Sequence, residues 1–396
     1  MMSKRRQTLG IQILLGAIIL IVLGYTLFPD TSDEAWQKHT ARFRQQLLNK
    51  KLSSIRPGGK SGQVKAAFVV LARNDELVGI KSAIQQMEDR FNHRFNYPYV
   101  FLNDDEFTDE FKQMTSSLTN AETHYGTIDR SMWGYPSHIN TTLAAECRAK
   151  MQDANIIYGD SESYRHMCRF QSGFFYRHPL LKDFEYYWRV EPYVKYFCDI
   201  DYDVFQMMKD NGYKYGWTIS LTEYMDTVPT LWSTTLNFIN EHKHLINWGK
   251  NSLLDWITDD NWETYNGCHF WSNFEIGSLE FLRSPAYTKY FEYLDKAGGF
   301  FYERWGDAPV HSLGVALFLK PEEVHFFNDI GYKHEPLMHC PTENYLQSRC
   351  SCDPAHNFDW DPWNCAARYR DRIDREFVWD EKKYREKTNP YRIDAA

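Results

Sequence analysis

Between Leu9 and Phe28 the chain reads LGIQILLGAIILIVLGYTLF, a run in which only Gln12 and Thr26 are strongly polar. A helix of that length spans roughly 30 Å, about the hydrocarbon thickness of a bilayer. Lys4, Arg5 and Arg6 precede the run, and Asp30, Asp33 and Glu34 follow it. The positive flank therefore stays cytoplasmic and the rest of the chain lies on the other side. A cleaved signal peptide is the competing reading, but its apolar core usually covers about 7–15 residues before a small-residue cleavage site. Here the run is longer and ends in Tyr25-Thr26-Leu27-Phe28-Pro29-Asp30. The expectation is an uncleaved single-pass transmembrane anchor over 9–28 behind a cytoplasmic tail, 1–8. No later stretch is apolar enough to span.

Residues 29–62 are polar and end in Arg56-Pro57-Gly58-Gly59-Lys60-Ser61-Gly62, which reads as a flexible stem. The glycine-lysine-serine is not a phosphate loop, because no strand precedes it and the glycine spacing is missing. What remains, 63–396, is long enough for a sizeable core, as one large domain or two tightly joined ones. A net charge of −8 leaves no basic footprint and argues against nucleic acid as the partner. The 13 Trp and 26 Tyr suit core packing and carbohydrate binding equally. The eight cysteines are an even number, compatible with disulfides in an oxidising compartment. Zinc held by Cys340, Cys350, Cys352 and Cys365 with His339 and His356 is the alternative, without the paired C-x-x-C knuckles of common zinc sites. Asn140-Thr141-Thr142 is a glycosylation sequon and agrees with a lumenal address.

Lys65–Leu71 (KAAFVVL) is a short continuous apolar run, as a strand buried on both faces requires. Leu77–Phe91 has helical spacing through Leu77, Ile80, Ile84, Met87 and Phe91, and Tyr97–Leu102 (YPYVFL) is a second strand. Strand, helix and strand at this spacing form an α/β unit with a parallel pair. Ligands of such sheets sit outside the carboxyl ends of the strands, which puts Arg73 and 103–105 near a donor pocket. No G-x-G-x-x-G follows the first strand, which counts against a dinucleotide-binding oxidoreductase. Further strands are expected at 184–190, 213–219 and 324–327, and a helix over 221–239 with Pro229 near a break. The tail after Cys340 is expected to wrap the surface.

Several clusters could carry chemistry. Trp188-Arg189-Val190-Glu191-Pro192 ends a strand on a carboxylate, and Asp199-Ile200-Asp201 is a short D-x-D; either could hold a hard cation bridging to diphosphate oxygens. Tyr164, Arg165 and Arg169 offer a stacking ring and phosphate-binding forks, although structural ion pairs use arginine just as readily. Glu275, in His269-Phe270-Trp271-Ser272-Asn273-Phe274-Glu275, is a carboxylate among rings, suited to a nucleophile or base or to bonding backbone amides. Asp307 is either a helix cap or a site residue, and His334 and His339 are metal ligands or structural.

Taken together these motifs resemble one family, the fungal Golgi α-1,2-mannosyltransferases of glycosyltransferase family 15. The resemblance runs from about 65 to 341 through YPYVFLND, YRHMCRFQSGFF, YWRVEP, FWSNFE and ERWGDAPVHS, in that order. It implies a GT-A type α/β fold with a mixed, mostly parallel central sheet, GDP-mannose as donor, Mn²⁺ as cofactor and a mannose-terminated O- or N-linked glycan as acceptor. It further implies retention of the α configuration and a Golgi membrane location. By motif, Glu191 looks like the metal ligand and His334 its partner, Tyr164 resembles the donor-contacting tyrosine, and Glu275 resembles a proposed nucleophile; Arg73, from its place after the first strand, and Arg169, from its guanidinium fork, are expected to contact the donor as well. Asp307 falls on a position implicated in acceptor binding or proton transfer. The rival classes are a glycan-binding protein that kept the fold without catalysis, a transferase using another nucleotide sugar, and a metal-dependent hydrolase, for which no H-E-x-x-H is present.

Overall fold

The computed structural model describes residues 62–248 and 252–373. The expected tail, anchor and nearly all of the stem lie outside the described residues, among which no helix is long and apolar enough to cross a membrane.

Seven strands form the central sheet: β1 (Ala66–Leu71), β2 (Tyr99–Asn103), β3 (Thr123–Thr127), β4 (Tyr186–Arg189), β5 (Tyr215–Trp217), β6 (Ile276–Ser278) and β7 (Val324–Phe326). Their order is β7-β5-β6-β4-β1-β2-β3. All neighbours run parallel except where β6 inserts antiparallel between β4 and β5. The mixed, mostly parallel sheet expected from the sequence is therefore present. β1 lies inside the sheet, between β4 and β2, and reads as an unbroken apolar run because both its faces are covered. Ala67 and Val69 enter one core cluster, and Ala66, Phe68 and Val70 enter the other. On the second face Phe68 sits opposite Tyr99 and Trp188 in register, with ring centroids at 4.8 and 5.7 Å.

Eight helices of eight or more residues occur among the described residues: α1 (Leu77–Met87), α2 (Asp109–Ser116), α3 (Thr141–Asp153), α4 (Glu162–Gly173), α5 (Leu231–Glu241), α6 (Pro285–Ala297), α7 (Asp307–Phe318) and α8 (Ala366–Ile373). α1 buries Ile80, Ala83, Ile84 and Met87 at helical spacing. α7 is buried on almost every side from Asp307 to Leu317, an unusual setting for a helix that opens on a carboxylate. Gly277 in β6 allows a close approach: a Cβ there would meet the Tyr187 ring at 2.6 Å.

Two expectations need correction. The helix expected over 221–239 begins only at Leu231, because Ser220–Thr222 is a strand paired with Cys268–Phe270. The tail does not merely wrap the surface. Tyr369 is 2% exposed and packs its ring on Trp217, Trp256 and Phe270. Two disulfides, Cys198–Cys350 and Cys268–Cys365, staple this region to the rest and a third, Cys340–Cys352, closes a loop within it, which together remove the zinc alternative. Cys147 and Cys168 are unpaired.

Candidate active site

The carboxyl ends of β1, β2 and β4 open into a cavity of about 390 Å³. Arg73 lies just beyond β1, Asn103 closes β2 with Asp104 next to it, and Val190, Glu191 and Pro192 leave β4. The facing wall comes from α4 and the loop before it, including Tyr158, Tyr164 and Gln171. Arg73 donates from Nη2 to Ser163 Oγ, tying the end of β1 to α4. Tyr158 stacks on Tyr164 at 4.5 Å and 10°, and the Arg304 guanidinium lies over the Tyr164 ring at 5.2 Å. Burial pushes the Tyr164 hydroxyl well up, so it stays a neutral donor.

Glu191 faces this cavity as the expected ligand position requires, and His334 stands beside it, with Nε2 3.4 Å from Oε2. Strand pairing explains the meeting of two residues so distant in sequence. Tyr332–His334 pairs antiparallel with Lys195–Tyr196, which follows Glu191 by a short turn, so His334 is carried back over that turn. Burial alone would raise the Glu191 pKa, but Arg189 and His334 hold it down to about 2. Burial likewise opposes protonation of His334, yet its bond to Glu191 raises it above the ordinary value. Among the described residues no cluster of three or more His, Cys, Asp or Glu could hold a metal. Glu191 and His334 are one oxygen and one imidazole ligand, a set that suits a divalent cation sharing its other positions with a bound diphosphate. The residues fit that role.

Behind Glu191 lies a buried ionic chain. Arg189 bonds Glu191 with Nη2 and Asp307 with Nη1, the latter at 2.5 Å, and Ser272 Oγ donates to Asp307 at 2.7 Å. Desolvation opposes the Asp307 charge, but Arg189 and His311 keep its pKa low. Its place in the first turn of α7 adds the favourable end of the helix dipole.

Glu275 is 1% exposed and does not line the cavity. Tyr187, Tyr215 (2.7 Å) and His311 Nδ1 (2.7 Å) all bond its carboxylate. His311 Nε2 lies 3.1 Å from the Gln171 carbonyl. Both ring nitrogens face acceptors, so the ring is an imidazolium; burial opposes this, but Glu275 raises its pKa.

The structure does not bring Arg169 to the cavity, and the expectation that it contacts the donor is corrected. It is 4% exposed and forms a bidentate pair with Asp295 at 2.6 and 2.9 Å over the Phe174 ring. Asp199 and Asp201 are also placed elsewhere, paired with Arg90 and Arg349 respectively. The sequence reading missed Arg189, Tyr187, His311 and Arg304. One signal was there for Arg189: on a strand it shares the face of Glu191, two residues on.

The family model described as glycolipid 2-alpha-mannosyltransferase matches residues 30–374. The chain is 55% identical over 78% of its length to glycolipid 2-alpha-mannosyltransferase 1 of Candida albicans, covering 71% of that protein. It is 55% identical over 77% of its length to alpha-1,2 mannosyltransferase KTR1 of Saccharomyces cerevisiae, covering 78% of that protein. The Mn/GDP form of core-mannan synthase A (CmsA/Ktr4) from Aspergillus fumigatus superposes with a TM-score of 0.76 at 42% identity, covering 81% of this chain and 88% of that one.

Proposed function

The chain belongs to the glycolipid 2-alpha-mannosyltransferase family, glycosyltransferase family 15, and from that membership we propose that it transfers mannose from GDP-mannose in α-1,2 linkage to a mannose-terminated glycan. The observation that carries the reading is the Glu191–His334 pair at the carboxyl end of β4, beside a cavity entered by Arg73 and Tyr164. With a divalent cation bound, Mn²⁺ on this reading, Glu191 and His334 would hold it, and it would offset charge on the departing diphosphate. Arg73 meets the donor as a guanidinium at the strand ends, where phosphate oxygens are expected. Arg189 fixes Glu191 and Asp307 in one geometry; the Asp307 carboxylate is buried outside the cavity lining, so it acts on the acceptor side by positioning Arg189 and Ser272.

Retention of the α configuration leaves two routes. A nucleophile must touch the anomeric carbon, whereas the Glu275 carboxylate is covered by three donors and lies outside the cavity. This favours attack from the face the diphosphate leaves. The bond from the anomeric carbon to the phosphate oxygen breaks with its electron pair, the acceptor oxygen bonds that carbon, and its proton passes to the departing phosphate. Glu275 then acts as a support that fixes His311, Tyr187 and Tyr215 behind the site.

The same reading makes the protein a type II enzyme of the Golgi membrane, anchored by 9–28. Three disulfides support an oxidising lumen. Asn140 is exposed, and its Oδ1 caps α3 by accepting from Leu143 N at 3.1 Å, which leaves Nδ2 for a glycan. The test is to incubate the purified full chain with a panel of nucleotide sugars, mannoside acceptors and divalent metals. Transfer from GDP-mannose with metal dependence is expected; transfer from another donor overturns the donor assignment, and binding without GDP release restores the non-catalytic alternative.

A further inference from the structure

The surface carries two aromatic rings from remote segments. Tyr224 is 46% exposed and Trp363 is 49% exposed, with ring centroids 5.1 Å apart at 84°. Single exposed aromatics are ordinary, but this pair is held in place by several independent contacts. The tail runs alongside Ser220–Thr222: Thr222 N donates to Trp363 O, Leu221 bridges Asn364, and Cys365 N donates to Ser220 O. The Cys268–Cys365 disulfide locks that segment two residues beyond Trp363. Polar, exposed Asp226 and Asp361 flank the rings.

A chain of contacts links the patch to the cavity wall. Glu223 Oε1 accepts from Tyr224 N at 2.8 Å, and its carboxylate lies against the backbone that leads into Asp307, 3.8 Å from where a Cβ on Gly306 would sit. Glu223 also faces Arg304 at 3.8 Å. Arg304 is 4% exposed, its Nε has no hydrogen-bond partner, and it lies over the ring of Tyr164 in the cavity wall.

We propose that Tyr224 and Trp363 form a second sugar subsite, which takes the penultimate mannose of the acceptor while the terminal mannose occupies the cavity. An aromatic face covers the apolar C–H face of a pyranose, and carboxylates at its edge accept from the hydroxyls. Glu223 and Arg304 supply the polar contacts at the seam between the two sugars. The inference rests on the mannosyl-transfer reading of the cavity and adds to it that the enzyme reads more than one unit of its acceptor.

The test is calorimetric titration of the full chain, with GDP present, using methyl α-mannoside and methyl α-1,2-mannobioside. The wild type is expected to bind the disaccharide roughly tenfold more tightly, a difference of about 1.4 kcal/mol. Trp363→Ala and Tyr224→Ala, on separate segments, should each bring the ratio of the two affinities close to one, with thermal melting reporting the fold. A wild type without preference for the disaccharide, or variants that keep it, overturns the subsite. The subsite and the reaction separate cleanly: a chain that prefers the disaccharide but does not turn over GDP-mannose keeps the subsite and loses the transfer reaction.

Discussion

Replacing Glu275 by Gln tests the buried support directly. The carboxylate takes bonds from Tyr187 and Tyr215 and faces the His311 imidazolium at 2.7 Å, with both partners 1% exposed. Glutamine keeps the shape, but one of its ends becomes an NH₂ pointed at donors, and His311 loses its counter-charge. Removing one partner of a buried pair costs about 3–5 kcal/mol, reduced here if His311 sheds its proton. The pH dependence identifies the cause. His311 has a folded pKa raised above its ordinary value of about 6.5. Its contribution to stability is therefore complete below that value and is lost as pH rises through the folded pKa. His334 and His339 are raised as well, so the quantity to measure is the difference between wild type and variant. Urea unfolding from about pH 5.5 to 8.5 should show a gap that is widest at the acid end and narrows upward. A variant within about 1 kcal/mol of wild type, with no change in the pH slope, refutes the buried ion pair. Detection of a mannosyl group on Glu275 in quenched turnover refutes its assignment as a support.

Glu191→Gln and His334→Ala should each weaken metal affinity, raising the metal concentration needed for half-maximal transfer by about a hundredfold or more, since even groups one shell further out cost 10–100-fold; metal titration of the rate checks this. Glu191 and Asp307 have depressed pKa values, so their contribution is present above about 4–4.5 and is lost as pH falls, for Glu191 toward 2; acid unfolding of Glu191→Gln should lose part of that slope. Arg169→Met should destabilise the fold by about 3–5 kcal/mol through stranded Asp295 while the KM for GDP-mannose stays put, read by denaturation and initial rates. The double replacement Cys268→Ser, Cys365→Ser opens a loop of sequence separation 97 and should cost about 2–5 kcal/mol in urea unfolding.

Part of this architecture was legible in the sequence because central parallel strands are apolar without interruption. KAAFVVL and YPYVFL announce β1 and β2 by composition alone. β6 announces nothing: Ile276-Gly277-Ser278 is too short for a period, and its glycine serves the Tyr187 ring. The expected helix over 221–239 failed at its start because Ser220–Thr222 is held by a partner strand and by the tail, contacts that no local pattern encodes. Arg169 misled for a related reason. An arginine that binds phosphate and one that binds a carboxylate look alike until the carboxylate is located, and Asp295 is 126 positions away. Glu191 and His334 came together only through the resemblance to a family; spacing alone left Asp199 and Asp201 in contention.

The disulfide-held tail also has a meaning in time. A ribosome delivers β1 to β4 early, and these strands can pair while the rest of the chain is still being made. His334, Trp363, Cys365 and Tyr369 emerge after the strands they pack against. A nascent chain that has not yet delivered them therefore holds Glu191 without His334 and an aromatic floor at Trp217, Trp256 and Phe270 without Tyr369 over it. The Glu191–His334 pair and the cover over that floor are thus both completed by segments made after the sheet.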